Sequence, residues 1–213
     1  MFITFEGLDF SGKSTQISLL ADRLLREGFR VKVLRDPGGT DIGERVRSIL
    51  LDKRSLRMAD LTELFLFAAS RSQLVHELIL PALEGGEIVI CDRFYDSTTA
   101  YQGWGRGLPL DVIGTLNHVA ASGLVPDITF FMDIPIYEVE RRMHEQKAQV
   151  DRMESSGKGF YEAVRKGYLH LAAEEKRFEV VDGLLPVEAV HTIVWQRFQK
   201  QIVRAQQTQR NLQ

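Results

Sequence analysis

The chain has 213 residues, of which 44% are hydrophobic, so it can bury one sizeable core, and we expect a single domain over 1–213. Because 29 Asp and Glu residues balance 27 Lys and Arg residues, the net charge of −2 provides no overall positive field, and we expect neither a nucleic-acid nor a membrane partner. The chain has no apolar run near the roughly 18 residues of a membrane span, no signal-peptide pattern and only one cysteine, Cys91, so we expect a cytoplasmic protein.

Short apolar runs bounded by Gly, Pro or Asp alternate along the chain with stretches of helical spacing. The runs predict five buried strands, at 2–5, 31–34, 87–91, 128–133 and 178–182. The other stretches predict seven helices, at 13–27, 41–51, 60–84, 110–122, 135–147, 159–177 and 186–203. This alternation is typical of βαβ units, so the predicted fold class is α/β, a three-layer α/β/α arrangement with a five-stranded parallel sheet.

Two segments differ from this pattern. Residues 145–159, EQKAQVDRMESSGKG, mix charge, Ser and Gly between two predicted helices, and this composition predicts a mobile lid at about 143–158. The Gln-rich end of the chain predicts a frayed tail at 204–213.

The stretch GLDFSGKST lies between the first predicted strand and the first predicted helix. It matches GxxxxGK[ST], in which glycines let backbone N–H groups surround phosphate oxygens at the positive end of the helix dipole. The motif predicts a P-loop NTP hydrolase-like fold, with catalytic Lys13 reaching the β- and γ-phosphates and Ser14 ligating Mg²⁺. The residues expected to bind ATP here are Gly7, Leu8, Asp9, Phe10, Ser11, Gly12, Lys13, Ser14 and Thr15.

Asp92 ends the apolar run EIVIC and is a second candidate ligand for Mg²⁺, from a neighbouring strand. Two other interpretations of the loop remain. One is an ordinary glycine-rich turn, and the other is the loop of a guanine-nucleotide switch protein, whose NKxD-type base-reading motif does not occur in this sequence.

Four arginines lie at or just after predicted strand ends or on the helices that follow, on the side of an open parallel sheet where ligands bind. They are Arg35, Arg47, Arg71 and Arg93. Because a guanidinium group pairs with phosphate through two parallel hydrogen bonds, this set favours a second phosphate site beside ATP and therefore a kinase of a small metabolite.

Six ordered motifs resemble those of the bacterial thymidylate kinases over nearly the whole chain. They are FEGLDFSGKST at 5–15, RDPGGT at 35–40, LFAASR at 66–71, DRFYDSTTAYQGWGRG at 92–107, PDITFFMD at 126–133 and DRME at 151–154. The resemblance implies transfer of the γ-phosphoryl group of Mg·ATP to dTMP, which gives dTDP on the route to dTTP, by a homodimer that helix 60–84 could form. Another nucleoside monophosphate kinase, or a non-kinase P-loop protein, is the alternative.

The resemblance also implies residue roles in the acceptor site. Phe67 would stack on thymine, Arg71 would bond a base carbonyl, Thr98 and Gln102 would read the remaining polar edge, and Tyr101 would exclude a 2′-hydroxyl. Pro37 resembles a family proline that shapes the acceptor loop through a strained or cis bond. The full set of expected substrate-binding residues is Asp36, Arg47, Phe67, Arg71, Arg93, Ser97, Thr98, Tyr101 and Gln102.

The catalytic set implied by the resemblance is Asp9, Lys13, Arg93 and Arg152. The family places a mobile cation either in the phosphate loop or in the lid, and Phe10 occupies the loop position in this chain. The resemblance therefore points to the lid, where Arg152 and Lys147 are the candidates. Arg142, near the start of the lid, would flank adenine.

Overall fold

Five short strands rich in Ile, Val and Phe form a parallel sheet. The structure, a computed structural model, describes residues 1–55, 57–145 and 157–210, the last seven by their backbone alone. The strands are β1 Phe2–Glu6, β2 Val31–Arg35, β3 Ile88–Asp92, β4 Ile128–Asp133 and β5 Phe178–Asp182, in the order β2-β3-β1-β4-β5. Every neighbouring pair is parallel. The predicted fold class is confirmed, and each predicted strand end lies within one residue of the observed one.

Helices follow each of the strands. They are α1 Lys13–Arg26, α2 Asp41–Leu51, α3 Asp60–Leu74, α4 Leu80–Glu84, α5 Tyr95–Thr98, α6 Leu110–Ala120, α7 Ile136–Glu145, α8 Lys158–Glu174 and α9 Val187–Arg210. A π-helical turn, Val75–Ile79, joins α3 to α4, so the predicted helix 60–84 is continuous.

The segment after β3 differs from the prediction. We expected no helix between 92 and 109, but α5 is followed by a π-helical segment, Thr99–Gly105. Its Thr, Gly and aromatic residues have low helix propensity, and the segment instead packs against α8. The predicted lid at 143–158 falls mostly on 146–156, outside the described residues, as do Lys147 and Arg152. The helical backbone of α9 continues to Arg210. The frayed tail at 204–213 stays a prediction.

The sheet separates two apolar layers, as a doubly wound fold requires. On one face, β1 residues Ile3 and Phe5 pack against α1 and α9 through Leu20, Leu24 and Phe198. On the other face are two clusters, one around Phe131 and Tyr168, and one around Phe2, Val89 and Phe94. Cys91 belongs to the second of these and is fully buried. Within the described residues, no helix is long and apolar enough to cross a bilayer.

The loop between β1 and α1, residues 7–12, is called the phosphate loop below. Because β1 is the central strand, this loop lies at the middle of the carboxyl end of the sheet. The connection from β1 leads to β2 on one side of this central strand. The connection from β3 passes over β1 and leads to β4 on the other side. Phe5 is in register with Asp92, and Arg35 pairs with the same residue from β2. In open parallel sheets, ligands bind in the crevice where the crossovers diverge in this way.

Candidate active site

The loop between β1 and α1 needs glycine at its two ends. Gly7 has φ 135°, and a Cβ there would lie 2.5 Å from the carbonyl oxygen of Met132. Gly12, with φ 96°, precedes the first turn of α1. Both conformations are accessible to glycine and costly for other residues, so the loop can pass close to β4 and turn directly into α1.

Lys13 lies under this loop, and only 6% of its surface is exposed. Its ammonium group donates to the carbonyl oxygens of Gly7 at 3.1 Å and Leu8 at 2.8 Å. Burial and the neighbouring Arg93 lower the pKa of Lys13 to about 8. Because a pKa of about 8 still lies above neutral pH, the ammonium group is mostly protonated there. Its positive charge lies at the floor of the loop, where phosphate oxygens would bind.

Ser14 and Asp92 meet across the ends of α1 and β3. The Ser14 hydroxyl donates to Asp92 Oδ2 at 3.3 Å, and Asp92 Oδ1 is buried without a hydrogen-bond partner among the described residues. A carboxylate oxygen left without a donor fits a Mg²⁺ ligand, since this ion prefers oxygen ligands and binds through few protein groups when nucleotide phosphates supply the rest. The described residues contain no cluster of three acidic, His or Cys side chains that could hold a metal alone.

A cavity of about 560 Å³ extends over the loop from Asp9 to Thr15. It continues to Arg142 of α7 and to Gly183 after β5, where Arg142 donates to the carbonyl oxygens of Phe10 at 3.1 Å and Gly183 at 2.8 Å. Gly7 and Leu8, which were also expected to bind ATP, do not line this cavity. Gly7 lies close against the Met132 carbonyl of β4, and the side chain of Leu8 packs in the core.

Arg93 follows β3 and joins the phosphate loop to a group of hydroxyl-bearing side chains. Its guanidinium donates to Asp9 at 2.6 Å and to the hydroxyl groups of Tyr101 at 3.3 Å, Ser97 at 3.2 Å and Tyr168 at 3.2 Å. Burial raises the pKa of Asp9, but Arg93 and Lys13 outweigh it, so the pKa lies below its usual value. Asp9 is therefore an anion that holds the guanidinium in place.

A buried carboxylate stands behind this arginine, and sequence reasoning missed it. Glu6, at the end of β1, accepts from the Phe94 N–H at 2.8 Å, from Ser97 at 2.6 Å and from Tyr168 at 2.8 Å. Burial, with a smaller contribution from Asp96, raises the pKa of Glu6 to about 7. A Glu directly before the first loop glycine is the only sequence signal for it, whereas nothing near Tyr168 connects that residue with position 6.

A second cavity, of about 90 Å³, adjoins the first. All nine expected substrate-binding residues line it: Asp36, Arg47, Phe67, Arg71, Arg93, Ser97, Thr98, Tyr101 and Gln102. The peptide bond between Asp36 and Pro37 is cis, which is one of the two forms, strained or cis, that the resemblance implied. Arg47 donates to the Pro37 carbonyl at 2.8 Å. Arg35 lines the first cavity instead and pairs with Glu44.

Arg71 is 1% exposed and is held on three sides. It donates to Asp36 at 2.6 Å, to Thr98 at 2.6 Å and to Asn117 at 3.0 Å. Burial raises the pKa of Asp36 although Arg71 opposes it. Asn117, from α6, was not among the expected site residues. The guanidinium is thus fixed as a donor at the wall of the second cavity, beside the half-buried ring of Phe67.

Gln102, at the same wall, is also held by residues that sequence reasoning missed. Its amide nitrogen donates to the buried carboxylate of Glu63 at 2.9 Å. Arg106 donates to both oxygens of that carboxylate at 3.2 Å. The motif AYQG indicated Gln102. Glu63 is 39 positions away on another helix, in a stretch whose spacing predicted a helix and no site residue at that position.

Known proteins resemble the chain along most of its length. The family model described as thymidylate kinase matches residues 5–194. A thymidylate kinase of Caldanaerobacter subterraneus subsp. tengcongensis is 48% identical over 194 residues, covering 91% of this chain and 92% of the relative. One of Chlorobium luteolum is 47% identical over 203 residues, covering 91% and 94%. The crystal structure of thymidylate kinase from Ehrlichia chaffeensis superposes with a TM-score of 0.76 at 37% identity, covering 93% of this chain and 98% of that one.

Proposed function

The chain belongs to the thymidylate kinase family, and we propose that the two adjoining cavities bind ATP and dTMP head to head and transfer the γ-phosphoryl group to give dTDP, on the route to dTTP. The observation that carries the proposal is the wall that the cavities share. Asp9, Asp36, Arg47 and Arg93 line both of them, so two phosphate groups would meet between anchored guanidinium groups. Such positioning is what phosphoryl transfer requires.

On the donor side, Lys13 and the loop N–H groups would hold the β- and γ-phosphates. Ser14 and Asp92 would hold Mg²⁺, which when bound neutralises charge on the phosphate oxygens. Arg142, which already bridges the loop and Gly183, would lie beside adenine. The unpartnered Asp92 oxygen supports the metal assignment.

On the acceptor side, Arg47 and Arg93 would bind the dTMP phosphate. That phosphate is largely dianionic near neutral pH, since its second pKa is about 6, so an oxygen can attack without a general base. Asp9 would keep Arg93 aligned with the line of attack. Phe67 would stack on the base, and Tyr101, whose hydroxyl contacts Arg93, would leave no room for a 2′-hydroxyl.

The acceptor panel is the direct test. ADP release from Mg·ATP is measured with dTMP, dUMP, dCMP, dGMP, AMP and UMP, and kcat/KM is expected to be highest with dTMP. Lys13→Met should abolish the rate, whereas Lys53→Met, at an exposed position, should not change it. A highest value with dCMP or UMP would assign the chain a different acceptor, and no stimulation by any acceptor would contradict the kinase function.

The lid cation gives a separate prediction. Arg152 lies outside the described residues and enters from its motif alone. We expect Arg152→Ala to lower kcat by about 100-fold with a smaller change in the KM for dTMP, because one cation directed at developing charge contributes roughly 3 kcal/mol. Arg26→Ala, at an exposed position on α1, is the control. An unchanged kcat would remove Arg152 from the mechanism and leave Lys147 as the candidate.

The assembly and the location are also proposals. We propose a homodimer that pairs through helix 60–84, which exposes Leu61 by 50% and Phe65 by 56%. Large apolar residues exposed close together are typical of protein–protein contacts.

A cytoplasmic location agrees with a buried, unpaired Cys91.

A further inference from the structure

The amide of Gln102 is held in a single orientation. The residue is 1% exposed, and its amide nitrogen lies 2.9 Å from Oε1 of Glu63, which is itself 1% exposed. A carboxylate paired with a guanidinium has acceptors and no donor, so the amide atom facing it must be the nitrogen. The amide oxygen, on the other branch of the same planar group, is therefore the atom left for the cavity that Gln102 lines.

Arg106 prevents the carboxylate from turning away. Its guanidinium donates to both oxygens of Glu63 at 3.2 Å, lies 3.7 Å from Asp60 and sits 4.5 Å above the ring of Phe160. If the Gln102 amide were reversed, its oxygen would face the carboxylate in a buried space, and two acceptors would be left without a donor between them. An arrangement of this kind is costly because buried polar groups that lose their partners pay the full desolvation penalty.

The wall of the second cavity therefore has a fixed pattern of hydrogen-bonding groups. Gln102 presents an acceptor, and Arg71, fixed by Asp36, Thr98 and Asn117, presents donors. Thymine and uracil carry an N–H at ring position 3 beside a carbonyl at position 4, which complements this pattern. Cytosine carries an unprotonated nitrogen at position 3 beside an amino group at position 4, which opposes it at both places.

We propose that Glu63, held by Arg106, is a positioning residue that fixes the amide orientation of Gln102 and so makes the acceptor site select a pyrimidine with an N–H at ring position 3 over one without it. The inference rests on the proposed function, because it assigns the source of base selectivity in the acceptor cavity. Glu63 does not touch the base. It acts through Gln102.

The test compares kcat/KM for dTMP with kcat/KM for 5-methyl-dCMP. These substrates share the methyl group, sugar and phosphate and differ only at positions 3 and 4 of the ring. Glu63→Leu leaves the amide without a partner on this side, and in Glu63→Gln the new side chain can present either an oxygen or a nitrogen to it. In both variants the amide can therefore turn, and we expect the ratio of the two values to fall at least 10-fold from that of the unsubstituted protein. A general loss of folding or alignment would lower both values together and leave their ratio unchanged.

Two controls separate orientation from other effects. Glu77→Gln removes a similar carboxylate that accepts from the Gln73 amide at 2.8 Å, but on an exposed turn of the helix, and should leave the ratio unchanged. In a Gln102→Leu background the amide that would contact the base is absent, so Glu63→Gln should have no further effect on the ratio. An additive effect in that double variant would overturn the proposal.

A ratio that stays within twofold in both Glu63 variants would also overturn it and assign the selectivity to Arg71 alone. Should circular dichroism show that the Glu63 variants do not fold, Arg106→Lys keeps the charge but not the paired donors, and the ratio is expected to fall at least threefold. An unchanged ratio there overturns the proposal. Failure of the proposed function has a different signature, which is no ADP release by the unsubstituted protein with dTMP.

Discussion

Two residues beside the first cavity hold backbone conformations that are unfavourable for side chains with a Cβ. Phe10 has φ 62° and Arg93 has φ 68°. Arg93 is fixed by its four hydrogen-bond partners, and Phe10 by apolar contacts of its ring and by the bond from Arg142 to its carbonyl. Such strain persists where the surrounding structure determines the conformation. In both places the strained conformation directs a group of the residue toward the site.

Phe10 allows strain to be separated from packing. Phe10→Ala and Phe10→Gly both remove the ring, but only Gly relieves the left-handed conformation. We expect Phe10→Gly to be more stable than Phe10→Ala by about 1 kcal/mol, measured by urea unfolding of the two variants. Equal free energies of unfolding would show that the loop relaxes once the ring is absent.

Glu6 predicts a pH dependence of stability. Its pKa is raised from 4.5 to about 7 in the fold, first by burial and then by Asp96. A raised pKa means that the folded state binds the proton more tightly, so this stabilisation is complete below about pH 4.5 and is lost as the pH rises through about 7. Between about pH 5 and about pH 8, the loss is roughly 2 to 3 kcal/mol.

Glu6→Gln has no titrating carboxyl, so the variant should gain stability relative to the unsubstituted protein over that pH interval. Urea unfolding at several pH values measures the difference. The same substitution at Glu84, which is exposed, should run parallel to the unsubstituted protein. A Glu6→Gln profile that also runs parallel would contradict the assignment of the pH dependence to this group.

At the scale of elements, the contact between the π-helical segment Thr99–Gly105 and α8 places Tyr101 and Gln102 in the second cavity. The approach is close because glycine occurs on both sides. A Cβ on Gly167 of α8 would lie 2.7 Å from the Trp104 ring, and one on Gly105 would lie 2.5 Å from the ring of Phe160. The segment is thus held by packing rather than by its own helix propensity.

Two glycine substitutions test this packing. Gly167→Ala puts a methyl group against Trp104, whose nearest atoms include the rigid Cβ, and should destabilise the fold by about 1 to 3 kcal/mol. Gly114→Ala, at an exposed position in α6 where nothing lies within 4 Å, should instead stabilise it by up to about 1 kcal/mol. Thermal unfolding measures both, and a neutral Gly167→Ala would mean that the two elements separate easily.

At the scale of the whole molecule, apolar surface is left exposed on α2 and α3, which pack against each other on one side of the sheet. Ile42 and Ile49 of α2 are 52% and 49% exposed, and Leu61 and Phe65 of α3 are 50% and 56% exposed. On the opposite face, α1 exposes Leu25 by 56%. The proposed dimer would cover the first of these surfaces and leave the second in contact with solvent.

Phe65→Asp tests this assembly. In sedimentation velocity, the unsubstituted protein is expected to have twice the chain mass of 24.2 kDa, and the variant is expected to shift to one chain mass, because burying an unpaired carboxylate in an apolar interface is costly. Leu25→Asp, an equal change on the opposite face, should leave the mass at two chains. A Phe65→Asp protein that stays dimeric would exclude α3 from the interface.

Local sequence patterns were sufficient to predict the strands of this protein and the loop that enters its first helix. The apolar runs predicted all five strands to within one residue, and the spacing of Gly7, Gly12, Lys13 and Ser14 predicted the turn into α1. Both depend on residues that are close in the chain, so that propensity and spacing act without tertiary context. The ordered motifs further indicated the residues that line the second cavity, although not what holds them in place.

The tertiary structure alone decided the supports of the site. Glu6 bonds Tyr168 from 162 positions away, Arg71 bonds Asn117 from 46, and Glu63 bonds Gln102 from 39. The π-helical segment is likewise stabilised by a helix far along the chain. No local pattern encodes such pairs, because a buried carboxylate and its donors come together only when distant elements pack and exclude water around them.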